Sequence, residues 1–280
     1  ISESQAIMIL EKIVVLDDQI AVPAIVHRCI ASLSEGAFCI FFYLLVQVDH
    51  TKGLRTRLIL TRLFFDGSWM PSVHGSLLNE HKDGLLRFAV TSLSREPSLS
   101  LEVWVQAMQD GHSIKRPKII NILGCVSAVL GSETVSTASY VSAAKLVALM
   151  LQRYSKHLSV CVSVVVVALQ CFLRQIIDAQ LSPDDLSLRA RYWTRLCALL
   201  VPQKDVYKKH LVYIVLESLR CGDDAEMKKA LMPSWMHLLD TLSVDHEIKQ
   251  LNALMVDTET KMRFRPIYEH FRRDWAYRGH

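Results

Sequence analysis

The stretch LSVCVSVVVVALQCFL, Leu158 to Leu173, runs for sixteen residues without a charge, and its reading decides the fold. A membrane-spanning helix needs about 20 predominantly apolar residues. This stretch is shorter, contains Ser163 and Gln170, and meets Arg174 directly. The valines Val164 to Val167 carry strand propensity. The adjoining ALQCFLRQIIDAQ makes the whole too long for a strand and favours a helix over Leu158 to Ala179, buried at the centre of the fold rather than in a membrane.

Outward from this helix the same pattern repeats. Upstream, apolar helical faces cover Ser4 to Asp17, Ile20 to Leu33 and Ala37 to Val48, then Leu77 to Ser94, Leu99 to Gln109, Pro117 to Leu130 and Thr134 to Tyr154. Between the two groups, His50 to Gly75 carries Lys52, Arg55, Arg57 and Arg62 and then FFDGSWMPSVHG, which reads as a loop around Asp66 to Gly75. Downstream, Ser182 is a helix N-cap with Pro183 at the first position and Asp184 and Asp185 against the positive helix end. That helix reaches about Leu200 and stops at Pro202. Val206 to Cys221 follows, closed by Gly222. Asp223 with Glu226 gives a capping-box start, Pro233 restarts the chain into SWMHLLDTL, and His246 to Met255 and Thr258 to Tyr277 complete it.

Helix after helix with no strand alternation predicts an all-α fold, since each amphipathic stripe must bury itself against the next. No fixed-period repeat is present, so the expected form is an irregular array of antiparallel helices of the HEAT or armadillo kind. Three parts are expected: N-terminal helices over 1–65, a central array over 76–180 and a C-terminal helical domain over 181–280. Ten Gly and eight Pro in 280 residues are few, consistent with long helices and short connections. A chain of this length buries roughly three quarters of its unfolded surface and needs no disulfide or metal.

The seven cysteines (Cys29, Cys39, Cys125, Cys161, Cys171, Cys197, Cys221) include no CxxC pair and no zinc-spaced histidine, and read as buried thiols of a reducing compartment. None of Asn79, Asn121 and Asn252 begins a glycosylation site. The opening ISESQAIM has neither an initiator Met nor a signal peptide, so the expectation is a piece of a longer protein.

Catalytic chemistry finds little purchase. There is no GxxxxGK[ST] or GxGxxG to cradle phosphates, no HExxH and no GxSxG. No cofactor is implied. Ser142 and Lys145 match SxxK, yet they lie inside a helical run and no SDN or KTG accompanies them. The doublets Asp184/Asp185 and Asp223/Asp224 are explained by helix starts. His74, His81 and His112 sit near predicted loops as solvated groups, whereas His210, His237 and His270 read as half-buried, hydrogen-bonded histidines.

The charged features are more informative. KMRFRPIYEHFRRDWAYRGH, Lys261 to His280, has six Lys/Arg against Glu269 and Asp274, a surplus equal to the formal +4 of the whole chain. At about 100° per residue, Phe264, Ile267, Tyr268, Phe271 and Trp275 form one stripe, with Lys261, Arg265 and Arg272 along its flank and Arg273 further round. Pro266 weakens or restarts the helix locally. The aromatics are therefore packing groups rather than a stacking platform for bases, and the flank is a candidate contact for RNA or an acidic partner. Lys115, Arg116 and Lys118, in KRPK, are a second such candidate. Lys208 and Lys209 read as a solvated face at a helix start.

The segments QKDVYKKHLVYIVLESL, ALMPSWMHLLDTLS and QLNALMVDTETKMRFRPIYEHFRRD, in this order, resemble the C-terminal domain of the second member of the unhealthy ribosome biogenesis family, the nucleolar preribosomal-associated proteins. The resemblance covers about Arg189 to Arg273. Its most specific pieces are Leu231 to Pro233, Leu238 to Asp240, and Phe264, Tyr268 and Phe271; a glycine usually follows the proline, where this chain has Ser234. What it implies is a noncatalytic helical scaffold in the nucleolus, acting in early assembly of the large ribosomal subunit and in pre-ribosomal RNA processing. The partners it implies are a larger helical-repeat assembly factor, an RNA helicase, other early large-subunit factors and, at the periphery, precursor ribosomal RNA. It implies packing roles: Pro233 sets a helix junction, Trp235 and Leu239 anchor it, and Phe264, Tyr268, Phe271 and Trp275 close the array. The alternative is a general helical-repeat adaptor outside ribosome assembly.

Overall fold

The computed structural model describes residues 1–16, 23–34, 37, 54–66, 83–109, 115–242 and 245–277. Among them every regular element is helical and no strand occurs. The chain divides into two compact units, residues 1–114 and 115–280.

The first unit contains α1 (Glu3–Leu16), α2 (Pro23–Ile30), α3 (Leu54–Asp66), α4 (83–91) and α5 (Pro97–Gln109). Leu10, Cys29, Leu58, Phe65, Trp104 and Met108 are buried, as expected of stripes too apolar to stand in water. The arginines that follow His50 lie on α3, where Arg57 is buried with its guanidinium 5.1 Å from the centre of the Phe88 ring and Arg62 pairs with Glu102 of α5. All but Ala37 of the expected helix at Ala37 to Val48, and most of the expected loop at Asp66 to Gly75, lie outside the described residues.

The second unit is a two-layered array. Its elements are α6 (Arg116–Leu130), α7 (Thr137–Arg153), the single turn α8 (Ser155–Leu158), α9 (Val162–Ile177), α10 (Pro183–Leu200), α11 (Lys204–Ser218), α12 (Ala225–Leu242), α13 (Asp245–Leu254) and α14 (Thr258–Tyr277). Helices α6, α9 and α11 pack in sequence in one layer, and α7, α10 and α12 do so in the other. Each hairpin, α6 with α7, α9 with α10 and α11 with α12, joins the layers, which is the HEAT-like arrangement. Helix α13 covers α11, and α14 rests on α12. The uncharged stretch supplies α9, from which Val165, Leu169, Phe172, Leu173 and Ile176 enter the core.

Four sequence expectations need correction. The helix expected from Leu158 is broken, because the Ser159 hydroxyl donates to Lys156 O (2.9 Å) and the Cys161 thiol to His157 O (3.4 Å). Such back-bonding competes with a continuous helix, and α9 begins only at Val162. The capping residue of α12 is Asp224, whose Oδ1 accepts from Met227 N at 3.0 Å; Asp223 instead reaches Lys228 (2.9 Å) and Arg263 (3.8 Å). Pro233 does not set a junction but lies inside α12, as Pro266 does inside α14. Both prolines, and the residues four positions earlier, Lys229 and Met262, are exposed, so water can take up each carbonyl that loses its helical partner. Finally, His210 and His270 are exposed; of the three histidines expected to be half-buried only His237 is so.

Where sequence and structure agree, the chemistry is local. Ser182 Oγ accepts from Asp185 N (3.2 Å) at the start of α10. Gly222 takes φ 68°, a left-handed value that lets the chain turn from the 3-10 turn Leu219–Cys221 toward α12.

Tyr207 is wholly buried with its hydroxyl unpaired, and burial pushes its pKa up to about 12. The native state therefore holds this proton more tightly than the unfolded chain, whose tyrosines ionise near about 10. Stability is expected to fall as pH rises from 10 to 12, because the unfolded state loses its proton first. Tyr207→Phe should flatten that fall and cost nothing at neutral pH, read by urea midpoints across the alkaline range.

Candidate nucleic-acid interface

Helix α14 is built on its aromatic stripe. Phe264, Ile267 and Phe271 are buried, and Tyr268 and Trp275 are half-buried. The rings run along the helix, with 5.5 Å between the centroids of Phe264 and Tyr268, 6.4 Å for Tyr268 and Phe271, and 5.2 Å for Phe271 and Trp275. The anchor in α12 is Trp235, 1% exposed, whose indole N–H donates to Ser218 Oγ at 2.7 Å; Leu239 beside it is fully buried. Pro233, being exposed, contributes no packing of this kind, and Ser234 is buried with its hydroxyl on Leu231 O (2.7 Å).

Lys261, Arg265, Arg272 and Arg273 are all exposed on α14. Arg265 Nε donates to Glu269 Oε1 at 2.9 Å and Arg273 Nε to Glu269 O at 3.3 Å, whereas Lys261 and Arg272 have no ion pair among the described residues. An exposed pair such as Arg265 with Glu269 holds the arginine weakly, within about 1 kcal/mol. The flank is thus available to an outside anion. Arg263 differs: half-buried, it pairs with Glu259 and lies 3.8 Å from Asp223, tying α14 to the start of α12. The sequence reading missed this tie. Its signal was the placement of Arg263 on the opposite side of the stripe from Lys261 and Arg265.

Beside the start of α14 a cleft of about 500 Å³ is lined by Tyr213, Leu216, Arg174, Arg220, Val256 and Arg263, among others. Its arginines are largely matched within the protein: Arg174 by Glu217 (2.7 Å), Arg220 by Asp178 and Glu217 (3.5 Å each) and Arg263 by Glu259 and Asp223. Asp257 caps α14 through Thr260 N (2.6 Å), and that bond holds its carboxyl below the usual range.

The second candidate group is elsewhere. Lys115 and Arg116 are exposed and Lys118 half-buried at the start of α6. Helix α14 begins against the 3-10 turn that ends α11, while the group at α6 stands by the opposite ends of α9 and α11. The start of the α14 flank and KRPK are therefore offset along the helix axes by about the length of a fifteen-residue helix, roughly 22 Å, and stand on different helices of the layer.

No nucleophilic constellation gathers at the pattern noted in α7, where Ser142 is buried and Lys145 exposed. Among the described residues no cluster of three or more His, Cys, Asp and Glu side chains is placed to hold a metal, and no helix is long and apolar enough to cross a membrane. Cys29, Cys161 and Cys197 are buried and Cys125, Cys171 and Cys221 half-buried, all as free thiols whose pKa values burial raises. His74, His81, His112 and Cys39 lie outside the described residues.

A model of the Urb2/Npa2 family matches residues 102–280, which takes in the whole second unit and the last part of α5. No curated protein and no solved structure matches the chain.

Proposed function

This chain belongs to the Urb2/Npa2 family, whose role is in ribosome biogenesis, and from that membership we propose that it is a noncatalytic scaffold in early assembly of the large ribosomal subunit and processing of its RNA. The observation that carries the reading is the family match over most of the chain. The architecture supports it: a two-layered array presents long outer faces, the ordinary surface for holding other proteins. The partners on this reading are a larger helical-repeat assembly factor, an RNA helicase and other early factors, met in the nucleolus. Precursor ribosomal RNA is touched at the periphery, through the flank of Lys261, Arg265, Arg272 and Arg273.

The flank supplies a test. Reversing Arg265, Arg272 and Arg273 to Glu alters three exposed side chains and leaves the buried stripe intact. The variant is expected to keep the thermal unfolding of the wild type and to lose the ultraviolet crosslinks that α14 itself makes to precursor ribosomal RNA in cells. Undiminished crosslinking at α14 would remove it from the RNA contact.

A further inference from the structure

Helices α6, α9 and α11 lie side by side and are pinned level at their C-terminal ends. Gln175 Nε2 donates to Leu130 O at 2.8 Å, joining α9 to α6, and Arg174 Nε donates to Glu217 Oε1 at 2.7 Å, joining α9 to α11. The three helices are fifteen, sixteen and fifteen residues long, so their N-terminal ends also stand level, along one edge of the array. Two further bonds gather the neighbouring chain there. Gln203 Nε2 donates to Leu151 O (3.3 Å), setting the start of α11 beside the end of α7, and the Cys161 thiol on His157 O holds α8 against the start of α9.

This edge carries Lys115 and Arg116 from α6, Lys156 from α8, and Lys204 and Lys209 from α11. All five are exposed, and none is ion-paired among the described residues. The carboxylate of the α11 start, Asp205, is already engaged by Lys208 at 3.6 Å. The opposite edge is different, since Arg174 and Arg220 are answered there by Glu217 and Asp178.

Cations at the N-terminal ends of helices oppose the helix dipole, and stability favours acids in those positions. Helix α10 shows the favoured arrangement, with Asp184 and Asp185 in its first turn, whereas α6 and α9 have no acid there. Lys115, Arg116 and Lys204, at the first positions of α6 and α11, are thus positive charges that folding does not call for. With neighbouring helices about 8–10 Å apart, the charges spread over roughly 20 Å. That span suits a run of successive phosphates better than a single anion. Tyr154, half-buried with its ring against His157 (5.9 Å), offers little open face for stacking a base.

We propose that this edge binds the sugar-phosphate backbone of double-stranded RNA, without sequence preference, as a surface separate from the flank of α14. The choice of RNA as the polyanion rests on the ribosomal reading above. Backbone recognition of duplex RNA proceeds through shape and phosphate contacts, which is what dispersed lysines and arginines supply.

The test measures fluorescence anisotropy of a labelled RNA duplex of about 16 base pairs with the 280-residue chain, at salt between about 50 and 200 mM. Wild-type affinity is expected to fall steeply as salt rises. Lys156→Glu with Lys209→Glu, and separately Lys115→Glu with Arg116→Glu, should each weaken binding by about ten-fold or more at the low salt. Neither should lower the melting temperature by much: the carboxylates of the Lys115/Arg116 variant agree with the dipole of α6, and Lys156 and Lys209 are exposed surface positions. Reversal of Arg265 and Arg272 should leave most of this affinity in place. Wild-type-like binding by both edge variants would overturn the proposal. So would displacement of the duplex by a polyglutamate peptide at equal charge, which would make the edge an acidic-protein site. If the wild-type protein travels with ribosomal precursors in cells while the edge variants bind duplex normally, the edge assignment fails and the ribosomal reading stands.

Discussion

Replacing Arg189 by Ala is expected to destabilise the second unit by about 3–5 kcal/mol. The side chain is 3% exposed and none of its acceptors is a carboxylate. Its Nη2 donates to Val135 O at 2.7 Å, Nη1 to Gln175 O at 2.9 Å, and Nε to Thr137 Oγ1 at 3.3 Å, with the guanidinium carbon 5.1 Å from the centre of the Tyr140 ring. One planar group of α10 thereby joins the turn before α7, the first turn of α7 and the end of α9. Burial pulls the guanidinium pKa down, yet arginine stays charged in proteins. Truncation takes the donor from two part-buried carbonyls, Val135 O and Gln175 O, at up to about 1–3 kcal/mol each, and opens a cavity under Tyr140. Arg189→Lys keeps the charge but not the fork, and should cost about half as much. Urea unfolding followed by tryptophan emission measures both. A midpoint unchanged in Arg189→Ala would mean that the array closes without this clamp.

Trp235→Ala should have a comparable cost, about 3–5 kcal/mol. The indole is the largest group that α12 contributes to its interface with α10 and α11, and its N–H ends on Ser218 Oγ, which in turn donates to Val215 O. Ser218→Ala keeps the packing and removes only the acceptor, leaving a buried N–H unmet at about 1–3 kcal/mol. Trp235→Phe with Ser218→Ala should cost less than the sum of the two single changes, because the orphaned group disappears with its partner. Strict additivity in that cycle would show that the hydrogen bond carries no coupling.

These two residues mark what could and could not be read from the chain. The helical array was legible because period and caps are local: Ser182, Asp185 and Gly222 act within one turn of themselves. The stripe of α14 was legible for the same reason. Arg189 was not, because its acceptors lie in the turn before α7 and at the end of α9, and sequence spacing says nothing of which carbonyls a fold leaves open. Proline misled at Pro233, since whether a proline breaks a helix depends on whether the lost bond faces water. KRPK was visible as four residues. Its neighbours Lys156, Lys204 and Lys209 were not, because their company is produced by the level stacking of three helices. Arg263 looked like one more basic residue of the tail until Asp223 came within 3.8 Å of it.

The measurement that bears most directly on the central claim is gradient sedimentation of the tagged protein from cells at moderate salt, with sequencing of the RNA that travels with it. A scaffold of early large-subunit assembly should sediment in heavy fractions with precursor RNA of that subunit, and should shift to light fractions when ribosomal RNA synthesis is stopped. Wild-type protein found only in light fractions, free of ribosomal precursors in growing cells, would contradict the account and leave a helical adaptor of other assemblies in its place.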